Sequence, residues 1–274
     1  MFRDLILSAN MFESESYQQR FGGIARLYGV TALQRFSEAH VMVIGIGGVG
    51  TWAAEALARS GIGQISLMDL DDVCVTNSNR QIHALASTVG QSKVNVMAER
   101  ISEINPQCQV TEIEDFICAD NLPQYLAPER APDYVVDCID AVKPKAALIA
   151  WCKRNKIRIV TVGGAGGQVD PTLVEVTDLA KTFQDPLLAK VRNLLRREYN
   201  FSKNPQRRFG IDAVFSSEQL KYPQLDGTVC SNKEGVTGSM RMDCSAGFGA
   251  VTAVTGTFGF VAVSRVLLKL AQHA

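Results

Sequence analysis

The sequence predicts an α/β fold, with a mostly parallel sheet flanked by helices and an antiparallel extension near its C-terminal part. Three observations predict it. Strand-like and helix-like patterns alternate from His40 to Val162. The first strand runs into a glycine-rich turn that opens a helix. Beyond that region, Leu173–Thr177 reads as a strand with no helix behind it, which points to antiparallel addition.

The stretch from His40 to Asp69 organises the rest. Val41–Ile44 is an apolar run suited to a buried strand, and Gly45, Gly47 and Gly50 follow in G-x-G-x-x-G spacing, with Gly48 as an extra glycine. An Ala-rich helix pattern runs to Ser60-Gly61, and Ile65–Met68 is a second strand ending at Asp69. Glycines let the backbone approach a phosphate, and a helix N-terminus turns N–H groups toward the anion. An acid about twenty residues on can accept hydrogen bonds from ribose hydroxyls. The context therefore predicts a Rossmann-like site for an adenine nucleotide.

The remaining elements follow in order. Residues 11–38 read as polar helix carrying Arg20, Arg26 and Arg35. Residues 69–81 are too polar for a core strand and gather Asn77, Asn79, Arg80 and Gln81 within five positions. Lys93 opens a helix that runs through Ile104 and is stopped by Asn105-Pro106. Gln109–Ile113 is strand-like and Asn121–Leu126 a short helix. Tyr134–Ile139 is a buried strand that ends at Asp140, where open α/β sheets place ligands. Helix Pro144–Asn155, strand Ile157–Val162 and a glycine turn at 163–167 complete the alternation. Phe209–Met242, rich in turn formers, reads as a long mobile loop.

Composition bounds the class. The chain has 274 residues, 46% hydrophobic, and zero formal net charge, so no global bias toward nucleic acid or membrane exists. Lys181–Arg208 departs from that balance, with eight basic residues against two acidic. Seven cysteines without a C-x-x-C pair argue against a disulfide framework or zinc ribbon, and for a reducing, cytoplasmic setting. Met1–Phe21 mixes charges and does not read as a signal peptide. Residues 244–264 lack charge and are long enough to span a bilayer. Their glycines and threonines favour a packed core or interface helix over membrane association.

Two chemistries share the glycine fingerprint. A dehydrogenase needs a hydride-transfer pocket; an adenylating enzyme needs cations on a triphosphate and an acid for magnesium. Asn77, Arg80, Lys93 and Asp140 supply the second set. Singly, each has an ordinary reading as a solvated charge or turn residue; together they point to adenylation.

GIGGVG, the DxDxV of DLDDVCVTNSNRQ, GQSK and DCID resemble the adenylation domain of the ThiF, MoeB and ubiquitin-activating-enzyme family, over roughly residues 17–165. The motifs RFGGIARLYG, GGAGGQVDPT, VTDLAKTFQDPL, YPQLDGTVC and RMDCSAGFG resemble the tRNA-modifying branch of that family almost end to end. The resemblance implies one domain over 1–274: a core at 17–179, a basic segment and loop at 180–242, and an apolar helix at 243–274. It implies ATP-dependent dehydration of threonylcarbamoyladenosine beside a tRNA anticodon, through a carboxyl adenylate. By the same resemblance, Gly45, Gly47, Gly48 and Gly50 receive phosphates and Asp69 the ribose. Asn77, Arg80 and Lys93 bind the triphosphate, and Asp140 holds Mg2+. Arg20 matches an N-terminal arginine that enters a homodimer partner's site, and Cys230 a loop cysteine for which a covalent role and a merely structural one are both open. Without paired C-x-x-C ligands, zinc is not expected. Activation of a ubiquitin-like sulfur carrier, or a scaffold role beside a cysteine desulfurase and its sulfur acceptor, are the alternatives. In Lys181–Arg208, residues Arg196, Arg197, Arg207 and Arg208 are the expected tRNA contacts, set against a solvated amphipathic helix.

Overall fold

In the computed structural model, residues 11–224, 226–231 and 248–272 are described. Two helices lead in, α1 (Glu15–Tyr28) and α2 (Val30–Glu38), separated by Gly29 at φ 94°. The glycine splits what the sequence presents as one helical stretch. Tyr17 and Phe21 on α1 pack with Leu33 of α2, and the Tyr17 hydroxyl donates to the Gly61 carbonyl at 2.5 Å.

The central alternation forms as the patterning predicts: β1 (His40–Ile44), α3 (Gly50–Arg59), β2 (Gln64–Met68), α4 (Lys93–Ile104) and β3 (Gln109–Ile113). A single-turn helix α5 (Leu122–Tyr125) precedes β4 (Tyr134–Asp137), α6 (Val142–Arg154) and β5 (Ile159–Val162). Then come β6 (Val174–Asp178), α7 (Pro186–Glu198), β7 (Asp212–Ser216) and the two-residue pair β8 (Tyr222–Pro223) and β9 (Val229–Cys230). Helix α8 (Thr252–Ala271) follows.

Seven strands form one sheet in the order β3-β2-β1-β4-β5-β7-β6. All neighbours are parallel except β6, which runs antiparallel to β7. The antiparallel extension is thus a single edge strand. Strand order reverses between β1 and β4, so a crevice opens there at the carboxyl ends of the strands.

One expectation is overturned. Residues 209–224 are not a long loop: Asp212–Ser216 is a buried strand between β5 and β6. Its sequence DAVFS is too short to show periodicity, and its place was set by two flanking strands. Residues 232–242 of that expected loop, and the Cys244 end of the apolar segment, lie outside the described residues, as does the greater part of RMDCSAGFG.

Helices cover both faces. On one, α2, α3, α4 and α8 pack over Val41, Val43, Leu67, Val136 and Val160. On the other, α6 and α7 pack over Met42, Ile44, Val135, Ile159 and Ala213. Helix α8 is long and apolar enough to cross a membrane, yet 56% of its apolar window is buried within the molecule. Gly259 lets it approach α3 closely, since a Cβ there would stand 2.8 Å from the Val49 carbonyl oxygen.

Candidate active site

The crevice beside β1 and β4 is a cavity of about 1050 Å³. Its floor is the glycine turn. Gly45 has φ 90°, and a Cβ on it would lie 2.9 Å from the Cys138 carbonyl oxygen. A Cβ on Gly50 would collide with the Gly45 carbonyl. These two glycines therefore fold the turn back on itself and against the end of β4, while Gly47 has open space where a side chain would be. The N-terminus of α3 begins at this turn, as an anion site requires.

Asp69, at the end of β2, pins the turn. One carboxylate oxygen accepts the Ile46 N–H at 2.6 Å and the other the Asp71 N–H at 2.9 Å. Burial pushes its pKa up, opposed by the Lys93 ammonium at 3.9 Å. Lys93, buried at the start of α4, pairs with Asp71 at 2.8 Å. Asp71 is the more exposed acid on the cavity wall, so ribose recognition by Asp69 alone becomes a question of both acids. Sequence reading passed over Asp71, although its place in DLDDV was a signal.

Asn77 is buried in a single 3-10 turn and its side-chain oxygen accepts the Cys74 N–H at 3.0 Å. Its fold role is that of a cap, and it also lines the cavity. Arg80 lies over Gly48, its Cγ and Cδ 3.2 Å from where a Gly48 Cβ would be, and its guanidinium donates to the Thr76 carbonyl and to Asn79, each at 3.0 Å. The Arg80 backbone is held from behind. Its carbonyl accepts Trp52 Nε1 from α3 at 2.9 Å, and the Asn79 carbonyl accepts the Thr252 hydroxyl of α8 at 2.6 Å. His83, fully buried beneath the turn, bonds the Ile46 carbonyl at 3.1 Å, and burial lowers its pKa to about 4.

Across the cavity, Asp140 stands exposed just beyond β4. Its segment is anchored by a pair the sequence did not reveal. Lys145 of α6 and Asp137 of β4 are both fully buried and form an ion pair at 2.9 Å. The Lys145 ammonium also donates to the Ile139 carbonyl at 2.8 Å. Asp137 accepts the Thr161 hydroxyl at 2.7 Å and the Ile139 N–H at 3.1 Å. A charge pair of this kind is held only where its remaining hydrogen-bonding capacity is met, and here the partners are the backbone of the Asp140 loop. The glycine turn after β5 forms the next wall, with the Gly164 N–H bonded to Asp185 at 2.9 Å.

Gly45, Gly47, Gly48, Asp69, Asn77, Arg80, Lys93 and Asp140 thus line one cavity. Other expected residues lie elsewhere. Arg20 is exposed on α1 and contacts the Ile104 carbonyl at 3.5 Å. Cys230 sits on β9, with Gln224 Nε2 2.9 Å from its sulfur. Arg196 reaches the Ser202 carbonyl at 3.4 Å and lies over the Phe209 ring, while Arg197 pairs with Glu198 at 2.8 Å. Arg207 and Arg208 are exposed. Burial pushes the Cys138 and Cys152 thiols up to about 12, consistent with structural roles.

The sequence profile of the ThiF family matches residues 21–274. The chain belongs to the ThiF family. Within it, the tRNA threonylcarbamoyladenosine dehydratase of Escherichia coli K12 is 60% identical over 95% of this chain and 97% of its own length. The dehydratase of the same description from Haemophilus influenzae is 57% identical over 95% and 96%. Among solved structures, TcdA (CsdL) superposes with a TM-score of 0.87 at 58% identity, covering 95% of this chain and 97% of that one. The E. coli TcdA structure in complex with ATP gives a TM-score of 0.84 at 56% identity, over 95% and 97%. The ThiF-family fold is therefore shared along nearly the whole chain.

Proposed function

We propose that this chain is an ATP-dependent tRNA threonylcarbamoyladenosine dehydratase acting through a carboxyl adenylate. The observation that carries it is the convergence of the glycine turn, Arg80, Lys93 and Asp140 on one cavity. The near-full-length likeness to dehydratases, and the ATP and AMP complexes of TcdA, support the same reading.

The chemistry follows from the residues. A carboxylate is a poor acylating group because oxide is a poor leaving group. Its oxygen attacks the α-phosphorus of ATP; the new C–O–P linkage forms as the bond to pyrophosphate breaks. The neighbouring carbamoyl group then attacks the activated carbonyl carbon, and AMP departs with the electron pair. The nucleoside loses one water in total, and closure within one molecule is favoured by proximity. Arg80 and Lys93 offset negative charge that builds on the phosphates, in a site where such charges act strongly. Asp71 and Asp69 face the ribose side.

Among the described residues no group of three or more metal-ligating side chains occurs. A single exposed carboxylate, Asp140, fits Mg2+ carried mainly by ATP phosphates and water, which is how that ion is ordinarily held. When bound, it would supply charge neutralisation at the phosphates. A homodimer in which Arg20 enters the partner's site belongs to the same reading, as does a cytoplasmic setting.

The test is to incubate the protein with ATP, magnesium and tRNA carrying threonylcarbamoyladenosine, then weigh the nucleosides. Loss of one water with stoichiometric AMP is expected. Pyrophosphate exchange that needs a small carrier protein instead, with no change in the nucleoside, would overturn the reading.

A further inference from the structure

A second cleft lies at the opposite end of the strands, where α6 and α7 finish. Helices α6 and α7 both begin at the ATP cavity, which Val142 and Pro144 of α6 and Pro186 and Leu187 of α7 line. They pack side by side and end together at a cleft of about 330 Å³. Thirteen residues of helix put that cleft about 20 Å from the first.

Its lining has an unusual composition. Lys153 and Arg154 come from the end of α6, Arg208 from the loop after α7, and all three are exposed. Among the described residues none of the three forms an ion pair, and no carboxylate lines the cleft. Two half-buried rings, Tyr199 and Phe201, line it beside buried Phe209. Phe201 and Phe209 meet edge to face at 4.9 Å, and Arg196 covers the Phe209 ring, so the aromatic wall is braced. Three unpaired cations would by themselves serve the negative ends of two helices. Tyr199 and Phe201 pack against the core beneath, and the parts of these rings that line the cleft add what a helix terminus does not need. Aromatic faces beside phosphate-binding cations are the combination by which single-stranded nucleotides are held.

We propose that this cleft binds one nucleotide of the tRNA chain outside the modified adenosine, its base against Tyr199 and its flanking phosphates on Lys153, Arg154 and Arg208. The proposal rests on the tRNA reading above and adds a second anchoring point to it. Arg196 builds this cleft from behind and is a positioning residue.

The experiment measures dehydration kinetics and tRNA retention for the parent protein, for Tyr199→Ala, for Tyr199→Phe, and for Lys153→Ser/Arg154→Ser/Arg208→Ser. In the triple variant the KM for tRNA should rise about tenfold or more, with the KM for ATP unchanged. Its salt-dependence slope should fall by about 2, near the value for three lost contacts to a single strand. Tyr199→Ala should raise the KM for tRNA about fivefold or more, and Tyr199→Phe, which keeps the ring, should not. Inorganic phosphate or uridine monophosphate at low millimolar should fail to displace tRNA, because the connected chain is the ligand. Unchanged KM and salt slope in the triple variant would overturn the proposal. A parent protein that neither retains nor dehydrates modified tRNA overturns the functional reading, and this one with it. A working parent with indifferent variants removes the cleft alone.

Discussion

Asp140 and Lys93 line the same cavity, and the proposed reaction gives each a task that depends on its charge. Asp140→Asn keeps shape and loses charge, so kcat should fall by about 100-fold with little change in melting temperature. Lys93→Met should lower activity by a similar factor and leaves Asp71 without its ion pair. Single-turnover formation of AMP checks both; near-normal rates would remove these residues from the mechanism. His83 gives a pH prediction. Its folded pKa of about 4 lies below the ordinary value of 6.5 because burial disfavours the imidazolium. The unfolded chain therefore binds more protons between those values, and stability conferred by neutral His83 is lost as pH falls from 6.5 toward 4. The full effect is about 3 kcal/mol. Urea unfolding across that range should show a steeper decline for the parent than for His83→Gln; parallel curves would refute the assignment. What the sequence does not mark is the partner of His83, the Ile46 carbonyl 37 positions away.

At the level of elements, the Asp140 loop depends on α6. Lys145→Met leaves Asp137 buried and unpaired, which should cost about 3–5 kcal/mol. Replacing both, as Asp137→Asn with Lys145→Met, should restore part of that stability while Asp140-dependent activity stays low, because the Ile139 carbonyl loses its ammonium donor. Thermal melts and kcat measured together separate the two effects. Helix α8 acts similarly on the other wall. Gly259→Ala places a methyl 2.8–2.9 Å from the Val49 oxygen and the Ala53 nitrogen of α3, so the helices must separate. A loss of about 1–3 kcal/mol is expected. Because Thr252 holds the Asn79 carbonyl, weaker ATP binding should accompany it. Melting and nucleotide titration check this; full stability and affinity would show that the contact has slack.

For the whole molecule, α8 decides the relation to membranes. Val254, Phe258, Ala262 and Val266 are fully buried against the sheet and its covering helices. The expressed protein should be recovered without detergent, and recovery only with detergent would contradict this packing. The glycines and threonines of this segment already favour a packed helix in the sequence, and α8 is one. The glycine turn, β1 through β5, α4 from Lys93 to Ile104, and the set Arg80, Lys93 and Asp140 were legible. Each is encoded locally, by hydrophobic period, by glycine spacing, or by a charge at a strand or helix end. Strand β7 was missed because five residues between two neighbours carry no period of their own. The Asp137–Lys145 pair was missed because a lysine eight residues beyond an acid reads as surface charge until a sheet and a helix enclose both. The sequence by itself determined that a parallel α/β core would offer a phosphate-binding turn with cations and an acid nearby. Tertiary structure alone decided which acid pins that turn, how distant helices brace Arg80 and Asp140, and that two helices leave a second basic cleft at their far ends. The physical reason is range: backbone preference and periodicity act over a few residues, whereas burial and pairing are settled between segments the chain order keeps apart.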